Sequence, residues 1–210
     1  MATYPIIVAG MGHSGSTMVY NMVMKICEYD NTGKNFSFHK FHKGNIPYQN
    51  LNKNPNLKVI THIRDMRDAV ASHIRKSNKN KSIAFGKPIE WILLRHTDAY
   101  EDWKDFSDYE FKYERYAKGS DQERVQLIIE VSNVIEASVT KDQATRILHF
   151  LENKLKKNID IGNNSKMSQY HVTNDGKIGG YKKTLSSNQI NYIEKKCYNW
   201  MVEKGYLNEQ

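Results

Sequence analysis

The sequence predicts an α/β fold, a mostly parallel central sheet flanked by helices, and three observations carry that prediction. An apolar, β-branched run at residues 4–9 stops at glycines and passes into a helical pattern at residues 17–26. A second apolar run, at 57–63, is followed by a helical pattern at 68–76. Beyond it, strand-like and helical segments continue to alternate, the arrangement from which parallel sheets are built.

Taken in order, residues 28–35 are polar and poor in strand formers, and 50–56 form a polar, proline-containing connector. Residues 89–103 read as a helix, 109–116 as a strand of alternating aromatics, and 122–136 and 141–157 as two amphipathic helices. Residues 158–180 are rich in loop formers, and 187–204 form a closing helix. Neither an internal repeat nor a shift in composition marks a boundary, so one domain is expected over residues 1–210. A chain of that length buries roughly 70% of its unfolded surface without needing disulfides or metals.

A formal charge of +8, from 31 Lys and Arg against 23 Asp and Glu, implies an anionic partner or a solvated basic surface. Nucleic acid is not the expected partner: the Lys-rich segments at 76–81 and 154–157 lack interleaved aromatics. Cys27 and Cys197 lie far apart in helical segments without Cys-x-x-Cys spacing, which reads as reduced, buried thiols. The first residues lack a basic leader, and no apolar stretch approaches a membrane span, so a cytoplasmic protein with no membrane partner is expected. No His, Cys or carboxylate cluster has metal-ligand spacing, and no metal is expected.

The first strand runs into Gly10-Met11-Gly12-His13-Ser14-Gly15-Ser16-Thr17, the frame of a phosphate-binding P-loop whose lysine is missing. In nucleoside-triphosphate loops that lysine precedes the final Ser/Thr and reaches the β- and γ-phosphates; here Ser16 occupies the position. Small residues and helix N-terminal amides still favour an anion, so the loop is expected to hold phosphate but not a triphosphate tail. Gly10, Gly12 and Gly15 also satisfy a Gly-x-Gly-x-x-Gly pattern. A dinucleotide site, however, needs a second strand ending in an acid about 20 residues on.

The middle strand ends at Arg64-Asp65-Met66-Arg67-Asp68-Ala69-Val70-Ala71-Ser72. Arg64 is expected to project from the sheet's carboxyl edge, Asp68 to cap the next helix, and Ser72 to lie about one turn inside, which leaves two readings for this segment alone: guanidinium and hydroxyl meeting on one phosphate, or Arg64 paired with Asp65 or Asp68. This segment resembles the one with which sulfotransferases using 3′-phosphoadenosine 5′-phosphosulfate (PAPS) grip the donor's 3′-phosphate. In that family an Arg is followed eight positions later by a Ser with an acid in the fifth place, as Arg64, Asp68 and Ser72 are here.

The resemblance extends over most of the chain. His39-Lys40-Phe41-His42-Lys43-Gly44-Asn45-Ile46-Pro47 is similar to the family's Lys-x-His segment with a following Pro, matched by Lys40, His42 and Pro47. It implies His42 as general base, with His39 as the competing imidazole, and Lys40 at the sulfuryl group. Lys112-Tyr113-Glu114-Arg115-Tyr116 is similar to the strand whose Tyr lies by the adenine, a place taken by Tyr113, while Arg115 replaces the usual acid. Asn174-Asp175-Gly176-Lys177-Ile178-Gly179-Gly180-Tyr181-Lys182 looks like the loop that closes over the 3′-phosphate. Asn174 stands where that loop has its Arg, which leaves Asp175, Gly176 and Lys177 as its candidate contacts. His13-Ser14-Gly15-Ser16-Thr17 matches the 5′-phosphosulfate loop with His13 in the place of a permanent cation, and Met18 replaces an aromatic residue stacked on adenine in many members.

What the resemblance implies is a P-loop-like sulfotransferase architecture and in-line transfer of a sulfuryl group from PAPS to an acceptor hydroxyl or amine, releasing adenosine 3′,5′-bisphosphate (PAP). Gly12, His13, Ser14, Gly15, Ser16 and Thr17 would hold the 5′-phosphate, and Arg64 with Ser72 the 3′-phosphate. His42, Lys40 and His13 would carry the chemistry. The acceptor is unidentified; a basic surface suits an anionic molecule or a glycan. Two other readings stand beside this one: a P-loop nucleoside or small-molecule kinase with Asp65 as its magnesium-holding acid, and a non-catalytic nucleotide-binding protein on the same scaffold.

Overall fold

The computed structural model describes residues 2–41, 54–80, 86–157 and 177–209. Among them, strands β1 (Thr3–Gly10), β2 (Asn35–Lys40), β3 (Lys58–Ile63) and β4 (Tyr109–Lys112) form one sheet in the order β2-β1-β3-β4. Every neighbouring pair is parallel. The helices are α1 (Ser16–Tyr29), α2 (Met66–Asn80), α3 (Ile89–Lys104), α4 (Tyr113–Lys118), α5 (Asp121–Val134), α6 (Lys141–Lys157), α7 (Ser187–Lys196) and α8 (Tyr198–Glu203), with a 3₁₀ turn at Gly180–Lys183.

Alternation along β1 assigns the two layers, because successive strand side chains face opposite sides. Ile6 and Val8 pack with Val19, Val23 and Ile26 of α1, Ile128 and Val131 of α5, and Ile147 and Leu151 of α6. Ile7 and Ala9 face the other way, onto Val59 and Trp103 at the end of α3. On that second side Ile63 joins Val70 of α2, Ile92 of α3, Ile193 of α7 and Met201 of α8. The expected α/β architecture with a parallel sheet between helical layers is therefore the observed one. Reciprocal capping boxes, Ser120 with Glu123 and Ser186 with Gln189, start α5 and α7.

Four local expectations are corrected. Strand β2 follows the segment read as strand-poor; its signal is faint because only Phe36 and Phe38 turn toward the core while Asn35 and His39 stay exposed on the sheet edge. The aromatic strand expected at 109–116 ends at Lys112, and α4 begins at Tyr113. Tyr109 and Phe111 keep strand spacing, whereas Tyr113 and Tyr116 sit three apart and pack on the first core as helical residues do. Asp65, not Asp68, caps α2: its Oδ1 accepts from Arg67 N at 2.9 Å. The closing helix is divided at Cys197 (φ −111°, ψ 18°), which lets Ile193 and Met201 both reach the core.

His42, Pro47, Asn174, Asp175 and Gly176, with most of the expected connector and of the loop-rich segment, lie outside the described residues. Among the described residues no helix is long and apolar enough to cross a membrane, and no group of three His, Cys, Asp or Glu could hold a metal.

Candidate functional site

Strand β1 leads through α1 on one face to β2 on one side of it, whereas β3, on its other side, leads through α2 and α3 on the opposite face to β4. Crossovers that diverge in this way leave a crevice at the strands' carboxyl ends, the usual ligand position in open α/β sheets. Gly10, Ile63 and Lys112 end their strands there, and Gly12, Arg64 and Tyr113 follow within two residues.

The loop after β1 is held in shape from within. Ser14 Oγ is fully buried, donates to Met11 O at 2.6 Å and pairs with His62 Nδ1 at 2.5 Å. Its hydroxyl thus fastens the loop to β3, and what Ser14 can offer an anion is its amide. Gly15 precedes α1 in the left-handed region (φ 89°) and makes no side-chain cap, so the first amides of a 14-residue helix face the crevice mouth without a protein acceptor of that kind. Gly15 also has no room to be anything else: a Cβ would lie 2.5 Å from Tyr113 Cδ2. His13 adopts φ 59°, a conformation in which His is less disfavoured than most residues.

Lys40 reaches this loop from the edge strand. The register of β2 puts Lys40 beside Val8, on the face of α1, and its Nζ donates to Thr17 Oγ1 at 2.8 Å. The ammonium absent at Ser16 is thereby supplied from another element. His39 points to the opposite face, where its ring stacks on Phe41 (6.2 Å, 15°) and Phe41 in turn on Trp103 (5.6 Å). Of the two histidines considered for the base, His39 is therefore turned away from Lys40 and the loop. The finding also weakens the dinucleotide reading, since the second strand exists but ends in Lys40 instead of an acid.

On the adjoining strand end, Arg64, Asp65, Arg67, Asp68 and Ser72 are all buried, an unusual concentration of polar side chains. Arg64 Nη2 donates to Lys177 O at 2.9 Å and lies 3.8 Å from Asp68 Oδ2. Asp68 accepts from the amides of Gly179 (2.7 Å) and Tyr181 (2.9 Å), so α2 grips the segment that follows Lys177. Asp65 is fully committed: Arg67 donates to its Oδ1 and Oδ2 from Nε and Nη2, the latter at 2.6 Å. Desolvation is outweighed there by the carboxylates of Asp65 and Glu194, which drive the Arg67 guanidinium above its usual range. An acid so engaged is poorly suited to the magnesium role of the kinase reading.

Tyr113 joins the two segments expected to bind anions, its ring lying against Gly15 on one side with the Arg64 guanidinium 4.7 Å from its centroid. Burial raises its phenol. Glu114 ties the next turn down, accepting from Asp65 N and from the Tyr206 hydroxyl, both at 3.0 Å. Arg115, in the place of an acid, pairs with Glu130 at 2.9 Å away from the crevice.

Two residues that sequence reasoning missed stand beside His13. The His73 ring is 4.6 Å and the His96 ring 6.1 Å from that of His13, and His73 Nδ1 pairs with His96 Nε2 at 3.2 Å. Burial, then the charges of Arg95 and Lys76, lowers His73 from 6.5 to about 4. His73 is thus neutral near pH 7 and places no like charge beside His13. His73 directly follows Ser72, but nothing in the chain relates position 96 to the loop; only packing of α3 on it does. A separate cleft of about 350 Å³ lined by Tyr100, Lys195 and Trp200 contains none of the expected site residues.

No family model matches the chain, and no curated protein matches it in sequence. Its structure, however, is similar to that of mouse sulfotransferase SULT7A1 complexed with PAP, with a TM-score of 0.70 and 14% identity over 94% of this chain and 84% of that one. Two structures of retinol dehydratase are also similar, one with androsterone and inactive cofactor PAP and one with retinol and PAP. Each has a TM-score of 0.65 and 15% identity, over 94% and 96% of this chain and 80% and 82% of theirs. The chain has the fold of the PAPS-dependent sulfotransferases.

Proposed function

We propose that the protein is a sulfotransferase that moves a sulfuryl group from PAPS to an acceptor hydroxyl or amine and releases PAP. The observation that carries the proposal is Tyr113, whose single ring touches Gly15 of one anion-binding segment and Arg64 of the other. A ligand bound across it has one anionic group at the loop and a second at Arg64, as PAPS does. The residues fit such a ligand: uncapped helix amides and Lys40 at the first position, Arg64 and Ser72 at the second, and an aromatic face between them.

PAPS would supply a sulfuryl group already activated by its phosphate leaving group. In the proposed reaction a bond forms from the acceptor oxygen or nitrogen to sulfur, the bond from sulfur to the phosphate oxygen breaks, and His42 takes the acceptor's proton. Lys40, with the amides of Gly12, His13, Ser14, Gly15, Ser16 and Thr17, stabilises charge on the departing phosphate. His13 would add a donor there, and Lys177, with Asp175 and Gly176 before it in the sequence, would serve the 3′-phosphate. A cytoplasmic, single-domain enzyme completes the reading; burial pushes the thiols of Cys27 and Cys197 up to about 12 and about 11, which suits persistent reduced cysteines.

His13, standing where a permanent cation is expected, favours one second reading, a PAP-binding protein without turnover. Incubation with labelled PAPS and an acceptor panel, read by mass spectrometry, separates the two. Wild type is expected to form sulfated product and PAP, and His42→Ala to form neither while still binding PAP. Binding of PAP without product in wild type would establish the second reading.

A further inference from the structure

Arg64, Asp68, Ser72 and Arg75 follow one another at intervals of four, four and three, which places them on one stripe at the start and along one face of α2. Opposite that stripe runs the segment from Lys177 to Thr184. Arg64 holds the Lys177 carbonyl, Asp68 the amides of Gly179 and Tyr181, and Arg75 Nη1 the Thr184 hydroxyl at 2.7 Å. Ser72 lies inside this seam, one turn from Asp68 and one from Arg75.

The seam is not neutral. Burial, and after it the charge of Arg64, depresses the Arg75 guanidinium, with Asp68 opposing. Asp68 is one carboxylate against two guanidiniums, and both its oxygens already accept backbone amides. Arg75 Nε is buried and makes no hydrogen bond. A buried donor in a local excess of positive charge suits an anion carrying more than one charge. A phosphate monoester, at about −1.5 to −2 near neutral pH, meets that need better than a singly charged carboxylate or sulfate ester.

We infer, resting on the PAPS reading above, that Arg75 is a third side chain of the 3′-phosphate site and holds that phosphate together with Arg64 and Ser72. The ligands it selects are nucleotides bearing a 3′-phosphomonoester. Its Nη1 donates to Thr184 while its Nε is buried without a hydrogen-bond partner, so α2 adds a guanidinium to this site where the returning loop has Asn174 in place of an Arg.

Calorimetric titration of the full chain with PAP and with adenosine 5′-monophosphate tests the assignment. Wild type is expected to prefer PAP, and Arg75→Ala to weaken PAP by roughly ten- to a hundredfold, the worth of a charged hydrogen-bonded contact, with the monophosphate changed less than about twofold. Arg75→Lys is expected to recover only part of the loss, because an ammonium keeps the charge without the fork. Thr184→Val is expected to stay close to wild type. Three outcomes would overturn the inference alone while wild type still prefers PAP. They are equal weakening of both nucleotides by Arg75→Ala, full recovery with Arg75→Lys, or a Thr184→Val loss equal to that of Arg75→Ala. Failure of wild type to prefer PAP would overturn the PAPS reading, and this inference with it.

Discussion

Lys40 shows how a single residue changes the chemistry of a loop it does not belong to. The loop lacks its lysine in sequence, yet an ammonium 2.8 Å from Thr17 Oγ1 puts a cation at the same helix N-terminus. Lys40→Met is expected to lower transfer from PAPS about a hundredfold, in the range of losing one preorganised donor, while PAP affinity changes only a few-fold. Single-turnover rates beside equilibrium PAP titrations check the split; equal losses in both would make Lys40 a binding group only. His73 gives a second residue-scale expectation, through proton linkage. Its pKa falls from 6.5 unfolded to about 4 folded, so the unfolded chain binds more protons between those values. The stability its neutral form allows is complete above pH 6.5 and is lost as pH falls toward 4. His73→Gln is therefore expected to lose less stability than wild type across that window. The groups facing His73 are His13, His96, Arg95 and Lys76, and denaturant titrations at several pH values in both proteins provide the comparison.

At the scale of elements, α2 organises the candidate site. Its first turn holds Asp68, buried beneath the 3₁₀ turn, and two amides of the returning segment depend on that carboxylate. Asp68→Ala is expected to cost about 2–4 kcal/mol, since it orphans two buried donors beside Arg64. Urea denaturation measures the loss, and a cost below about 0.5 kcal/mol would show that the turn finds other acceptors. The positions of Arg64 at a strand end and of Ser72 inside the following helix were legible because apolar periodicity and helix spacing fix them locally. The role of Asp68 was not legible, since its partners lie more than a hundred residues away. Strand β2 escaped for another reason. An edge strand buries one half-face, so Phe36 and Phe38 are its whole apolar signal, and it ends in Lys40 where a dinucleotide site has an acid. The switch from β4 to α4 was hidden because Tyr109, Phe111, Tyr113 and Tyr116 begin on a period of two and finish on a period of three.

For the molecule as a whole, diverging crossovers bring the β1 loop and the start of α2 to adjacent strand ends, so one ligand can engage both sides of the sheet's centre. A ligand bound there would link the layer of α1 to the layer of α2 and is expected to stabilise the whole chain. At about a hundred times its dissociation constant PAP contributes about 2.7 kcal/mol, which corresponds to a Tm rise of roughly 5–10 °C for a domain of this size. Adenosine 5′-monophosphate at the same concentration is expected to raise Tm less, and scanning calorimetry with both nucleotides reads the difference. Equal shifts would mean that the second anionic site is not used. By itself the sequence determined the α/β class and placed the glycine loop without a lysine and the Arg64 to Ser72 interval at the ends of two strands. Each of these is local, set by apolar periodicity, glycine turns and helix spacing. Only the tertiary structure decided that Lys40 reaches the loop, that His39 faces away from it, and that His73 and His96 close around His13. Those outcomes depend on which strand lies beside which and on the face of each helix that packs inward, and no short-range pattern in the chain encodes either.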